Sequence, residues 1–286
     1  MLRRLADVLN TIELTGLIFV GSVLAGFLGA LTGLGGGVVI VPLLTVVFGV
    51  DIKYAIGAAL VSVIATSSGA AAAYVREGYS NVRVGMFLEI ATTVGAIAGA
   101  AIAIYLRASV IAIVFGVVLL YSSYLSFRQK EHDAEDVVPG RMATWLRMDG
   151  SYPTAAGMTS YHVRNVPGGF ALMFVAGVLS GLLGIGSGAV KVLAMDQVMK
   201  LPFKVSTTTS NFMIGVTAAA SAGIYLSRGY IDPGLAMPVM LGVLSGSLIG
   251  ARVLAGAKVR VLRVVFTIVI AVLGVEMIFN ALTGRI

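Results

Sequence analysis

The sequence predicts an all-α integral membrane protein, and three observations carry that expectation. Of 286 residues, 58% are hydrophobic and only 12% charged, against about a quarter charged in an ordinary soluble domain. The mean hydropathy of +0.99 leaves too few polar residues to coat a water-soluble globule; lipid accepts apolar surface outright. Apolar stretches near the roughly 20 residues needed to span a bilayer recur at 13–32, 54–75, 84–105, 108–126, 168–183, 205–227, 234–255 and 261–282. About eight full spans are therefore expected.

Two shorter apolar pieces, 38–50 and 189–199, directly follow glycine clusters and are expected as half-helices or re-entrant segments. The polar interval 127–166 reads as an extramembrane linker with a surface helix around Trp145. It divides a first transmembrane repeat, 1–126, from a second, 167–286. Met1-Leu2-Arg3-Arg4 resembles the start of a signal peptide. The apolar run after it continues for a full span and leads into further spans, so it is expected as a retained first helix.

The two halves repeat. A constant shift of 151 positions lays Gly26, Gly33, Gly35 and Gly37 on Gly177, Gly184, Gly186 and Gly188. The same shift, without a gap, lays Lys53 on Lys204, Tyr74 on Tyr225, Gly95 on Gly246 and Gly99 on Gly250. Internal duplication in a membrane protein points to a transporter, with its site where the repeats meet. If each broken segment returns to its starting side, each half crosses an odd number of times and the second half is inverted. The basic residues beside the linker favour a cytoplasmic linker and an external N-terminus, against the pull of Arg3 and Arg4.

Composition also excludes chemistry. Without cysteine there is no disulfide, thiolate metal site or Cys nucleophile, and both histidines, His132 and His162, lie in the linker. No metal and no cofactor are expected. The net charge of +7 sits in short clusters between apolar runs, where it anchors helix ends, so nucleic acid is not an expected partner. The expected partners are a small anionic substrate and the lipid bilayer, with room for a homo-oligomer.

Four groups of residues could carry the chemistry. The breaks Gly33-Leu34-Gly35-Gly36-Gly37 and Gly184-Ile185-Gly186-Ser187-Gly188 interrupt helices at membrane depth. Such backbone survives only inside protein or beside a water-filled cavity, and a new helix start offers free N–H groups to an anion. Close packing of helices through small residues is the alternative. Lys191 follows in an apolar piece; a lysine at that depth faces a cavity or a partner, snorkels to an interface, or pairs with Asp196. The run Ser206-Thr207-Thr208-Thr209-Ser210-Asn211 brings hydroxyls and an amide that can donate to anion oxygens, or can cap and cross-link helices. Among these, Thr207, Thr208, Ser210 and Asn211 are the substrate candidates. Glu89 and Glu276 are carboxylates within predicted spans and candidate proton carriers.

With these residues in view, the chain resembles the sulfite exporter TauE/SafE family. The likeness rests on Gly26-Phe27-Leu28-Gly29-Ala30-Leu31-Thr32-Gly33-Leu34-Gly35-Gly36-Gly37 leading into Val41-Pro42-Leu43-Leu44, and on its counterpart from Gly177 to Gly188. The resemblance implies export, or sometimes uptake, of sulfite and organosulfonates such as sulfoacetate. Ser187 interrupts the second glycine run, and Lys191 and Leu193 stand where Ile40 and Pro42 stand in the first half. The second half is thus the better place for cargo. The expectation is a secondary transporter in the cell membrane, working as an exporter by alternating access; an importer or an anion channel is the alternative. An intramembrane hydrolase using Ser187 would need a general base within reach; both histidines lie in the linker, and Lys191 in that role would need a strongly depressed pKa.

Overall fold

The computed structural model describes residues 11–32, 36–76, 80–128, 140–154, 157–254 and 259–286. Arg3, Arg4, Gly33, Gly35 and most of the linker before Gly140 lie outside the described residues. Eight helices of 18 to 25 residues occur among them: α1 (Thr11–Thr32), α3 (Ile52–Arg76), α4 (Val82–Tyr105), α5 (Ala108–Arg128), α7 (Val166–Leu183), α9 (Phe203–Ser227), α10 (Pro233–Leu254) and α11 (Val259–Leu282). Their bounds follow the eight expected apolar stretches to within a few residues. By length and hydropathy, Val82–Tyr105, Val166–Leu183 and Pro233–Gly250 are sufficient to cross a membrane.

The two short pieces are helices of six residues, α2 (Gly37–Pro42) and α8 (Gly188–Leu193), each running into a π turn. The wide turns are alike. Phe48 N–H donates to the Leu43 carbonyl at 3.2 Å and Val50 N–H to Leu44 at 3.0 Å. In the second half Met199 donates to Ala194 at 3.1 Å and Leu201 to Met195 at 2.9 Å. Each wide turn leads, after a short connection, into a 25-residue helix, α3 or α9.

Helix packing is reciprocal between the halves. The first helix of one half lies along the third long helix of the other: α1 on α10, and α7 on α4. The second long helices, α3 and α9, pack on each other, as do the last, α5 and α11. Glycines make the first two contacts possible. A methyl group added at Gly95 or Gly99 of α4 would collide with the Phe174 or Val178 carbonyl of α7. One added at Gly177 or Gly181 would strike the Thr92 or Ala96 carbonyl in return. On the other side Gly26 and Gly246 play the same part against the carbonyls of Val243 and Val23. For Gly26, Gly95, Gly99, Gly177 and Gly246, close packing is therefore the structural reason for glycine. The outward faces remain apolar: Leu24, Ile90 and Leu248 are each about 60% exposed, which suits lipid and not water.

The linker adds what an all-α expectation omits. After the short helix α6 (Arg141–Trp145), with Trp145 80% exposed, a two-stranded hairpin forms from β1 (Gly150–Thr154) and β2 (Gly157–Tyr161), with Gly150 opposite Tyr161. Asn81 fastens it to the bundle. Its Oδ1 caps α4 by accepting from Val84 N–H at 3.0 Å, and its Nδ2 donates to the Met148 carbonyl and the Tyr161 hydroxyl, both at 2.8 Å. Its own N–H donates to Thr209 Oγ1 on α9 at 3.0 Å. Burial pushes the Tyr161 phenol above its usual range, against the Asn81 bond and with a contribution from Asp149. Replacing Asn81 with leucine removes a cap and two partly buried hydrogen bonds, together about 2–3 kcal/mol. Residues 146–163 should then exchange amide hydrogens faster while α4 and α7 hold. Unchanged exchange in the hairpin would show that Asn81 does not anchor it.

Candidate functional site

The second break is built from left-handed backbone. Gly184, with φ of 70°, ends α7 and donates its N–H to Ser180 O at 2.8 Å, the simple helix-stop arrangement glycine favours. Ser187 also has positive φ, 48°, a conformation costing a non-glycine residue about 1–2 kcal/mol. Its hydroxyl is buried without a hydrogen-bond partner. In the first break, Gly36 stands ahead of α2 and its carbonyl accepts from Val39 at 3.2 Å and Ile40 at 3.1 Å. The two breaks touch. A Cβ added at Gly37 would lie 3.0 Å from the Gly184 carbonyl oxygen and 3.5 Å from Ile185 Cα. Val63 of α3 and Ile214 of α9, which the 151-residue shift lays on one another, line the junction beside Gly186.

Lys191, in α8, is fully buried. Its ammonium donates to Thr217 Oγ1 of α9 at 2.5 Å, and Thr217 Oγ1 lies 2.7 Å from Glu89 Oε1 of α4, to which it can donate. Thr93 donates to the same carboxylate oxygen at 3.2 Å. Glu89 Oε2 is buried with no hydrogen-bond partner. Three elements from both halves thus converge on one hydroxyl-bridged pair of opposite charges. Two of the alternatives open for Lys191 fall away. It does not snorkel to an exposed interface, and Asp196 instead accepts from Gln197 Nε2 at 2.5 Å. The carboxylate facing Lys191 is Glu89.

The hydroxyl run divides. Ser210 Oγ donates to the Gly188 carbonyl at 3.4 Å, tying α9 to the broken segment. Thr207 donates to Phe203 O at 2.9 Å and Thr208 to Lys204 O at 3.0 Å, both within their own helix. Asn211 is half-buried. Glu276 sits on the exposed face of α11, hydrogen-bonded by Asn280 Nδ2 at 3.3 Å, and does not join the Lys191 group. Residue-by-residue reading missed Thr217. The signal was a stripe: Ser206, Ser210, Thr217 and Ser221 recur at helical spacing and all are buried, a polar line along an otherwise apolar helix. A surface cleft of about 940 Å³ is lined by Arg164, Asn165, Gln197 and Lys200, and none of the candidate substrate or proton-carrying residues borders it.

A bundle of long apolar helices that buries a lysine of a broken segment against a carboxylate from the other half has the build of a membrane transporter. The chain belongs to the sulfite exporter TauE/SafE family, whose sequence pattern matches residues 18–277. Among curated relatives, it is similar to the probable membrane transporter protein YunE of Bacillus subtilis, 27% identical over 274 residues, covering 93% of this chain and 98% of the relative. It is also similar to the probable membrane transporter protein YdhB of the same organism, 26% identical, covering 82% and 86% respectively. No solved structure matches the chain.

Proposed function

We propose that the protein is a secondary transporter of small sulfur-containing anions, sulfite and organosulfonates such as sulfoacetate, and that it exports them across the plasma membrane by alternating access. The observation that carries the reading is Lys191: a fully buried ammonium at the broken segment, with a single hydrogen-bond partner among the described residues. A lysine at bilayer depth costs about 3 kcal/mol to insert and is kept where it serves a pathway. Its remaining N–H groups suit a sulfonate or sulfite oxygen, with Ser187, Gly186, Gly188, Ser210 and Asn211 completing the second-half site and Gly36 and Gly37 facing it from the first. Thr207 and Thr208 are the outer members of the same path. The eight long helices each cross the membrane, and the two halves are inverted repeats; the reciprocal pairing of α1 with α10 and α7 with α4 supports this. Burial of Lys191 from solvent corresponds to an occluded form, which opens as one repeat rocks against the other.

The test is thermal stability of the purified protein against sulfite, sulfoacetate, taurine, sulfate and chloride. A ligand at 100 times its Kd raises stability by about 2.7 kcal/mol. A shift with sulfite or a sulfonate, followed by counterflow of that anion in proteoliposomes, is expected. Stability indifferent to all five anions would sink the proposal.

A further inference from the structure

Charge balance in the Lys191 group has a consequence for transport, and it rests on the anion reading above. Lys191 and Glu89 neutralise one another through Thr217 in an interior that gives them no water-facing surface to speak of: Lys191 is 0% and Glu89 7% exposed. A monoanion placed on the ammonium would leave this buried group with one negative charge in excess. Uncompensated charge is costly in such surroundings, and a carboxylate relieves it by taking a proton.

We infer that Glu89 is an internal stand-in for the substrate: the anion displaces its carboxylate as the partner of Lys191, and Glu89 takes up one proton in the same event. One anion and one proton are therefore loaded together and released together. The balance is complete, since a proton from solution becomes the O–H proton of Glu89 and no bond of the substrate changes. Thr217 is the positioning residue for the exchange. In the empty form its hydroxyl accepts from Lys191 and can donate to Glu89 Oε1. With Glu89 protonated, the hydroxyl can turn its own hydrogen to the Met213 carbonyl, 3.0 Å away, and accept from the new carboxyl O–H. The proton is carried on Oε1, the oxygen 2.7 Å from Thr217 Oγ1, and Oε2 is left as the carbonyl oxygen.

Among the described residues of the elements packed on α4 and of the broken segment, no further ionisable group stands beside the pair. Against α4 pack α7, which contains no ionisable side chain, and α9, whose Lys204 and Tyr225 lie near its two ends, well away from Thr217. Within α4, Arg83 lies near the start and Tyr105 is the last residue. On the broken segment Asp196 is occupied by Gln197. Lys191 and Glu89 act on one another across Thr217.

The experiment uses the full-length purified protein in weakly buffered detergent, with methanesulfonate, a sulfonate of fixed single charge, as the probe. Proton uptake on binding is followed with a pH dye, and affinity is measured from pH 5 to 9. The wild type should take up about one proton per anion bound. Its affinity should fall about tenfold per pH unit wherever Glu89 is ionised in the free protein. Glu89→Gln, which cannot carry the exchanged proton, should bind with no proton uptake and no slope with pH. Thr217→Ser should keep the slope and Thr217→Val should distort it. Binding by the wild type without proton uptake, or an unaltered slope in Glu89→Gln, overturns the coupling and leaves the anion site standing. Failure of the wild type to bind methanesulfonate or sulfoacetate at any pH removes the anion site, and the coupling with it. Uptake measured at pH 7 and below, where the ammonium of Lys191 already holds its proton, decides the matter even if Glu89→Gln does not fold.

Discussion

Lys191→Ala is expected to weaken anion binding by about 10- to 150-fold, the range set by losing hydrogen bonds to a charged group worth about 1.5–3 kcal/mol. Transport should fall at least in proportion. The same substitution leaves the Glu89 carboxylate buried beside Thr217 with no counter-charge, and breaking a buried pair from one side costs about 3–5 kcal/mol unless the survivor takes a proton. The single variant should therefore lose thermal stability as well as affinity, with the stability loss shrinking at low pH, where Glu89 is neutral. A double variant, Lys191→Met with Glu89→Gln, separates the two effects. It should recover most of the stability, because no lone charge remains, and recover none of the binding. Ligand-dependent thermal unfolding and proteoliposome flux are the measurements. If Lys191→Ala kept wild-type affinity, the ammonium would be structural and the anion site would have to lie elsewhere.

Gly181→Ala should be among the most destabilising single-methyl changes available in this chain. The added carbon would strike the Ala96 carbonyl oxygen and approach the Ala100 nitrogen of α4 at 2.8 Å. Both are backbone atoms of a packed helix and cannot swing aside. Overpacking ordinarily costs about 1–3 kcal/mol, and here the upper end is expected. The effect should reach the site, since α4 carries Glu89: pushing α4 off α7 moves that carboxylate relative to Thr217. Gly223→Ala is the matched control. Gly223 also lies within a helix, but nothing approaches its added methyl within 4 Å, so alanine should be neutral or gain up to about 1 kcal/mol of helix propensity. Thermal unfolding of both variants in one detergent makes the comparison. Equal stability of the two would mean that the α4–α7 contact yields readily and that glycine is not needed there.

Much of the architecture was legible in the sequence. Apolar runs located the eight long helices because hydrogen-bonded backbone and lipid-facing side chains leave a mark in composition that spacing alone detects. Glycine clusters marked both broken segments. The π turns at Leu43–Val47 and Ala194–Val198 stand 151 residues apart, the same shift that relates the glycines. The hairpin at 150–161 was not legible, since its short polar strands lack an apolar alternation and are held largely by Asn81 from a distant helix. The roles of the glycines were only half legible: sequence alone cannot distinguish a glycine needed for positive φ, such as Gly184, from one needed for close approach, such as Gly181. Glu89 and Glu276 looked alike as carboxylates in apolar helices, yet burial of the first and exposure of the second set them apart.

The sequence by itself determined the solvent this protein is built for, the number and order of its long helices, the two breaks and the presence of one lysine that lipid would not tolerate unaided. These follow from local composition and period, which each segment carries within itself. Only the tertiary structure decided which charge that lysine meets. Glu89 and Lys191 come from different halves of the chain and are joined by Thr217. That meeting depends on α4, α8 and α9 being brought together by packing, and no local pattern in any one of them encodes it.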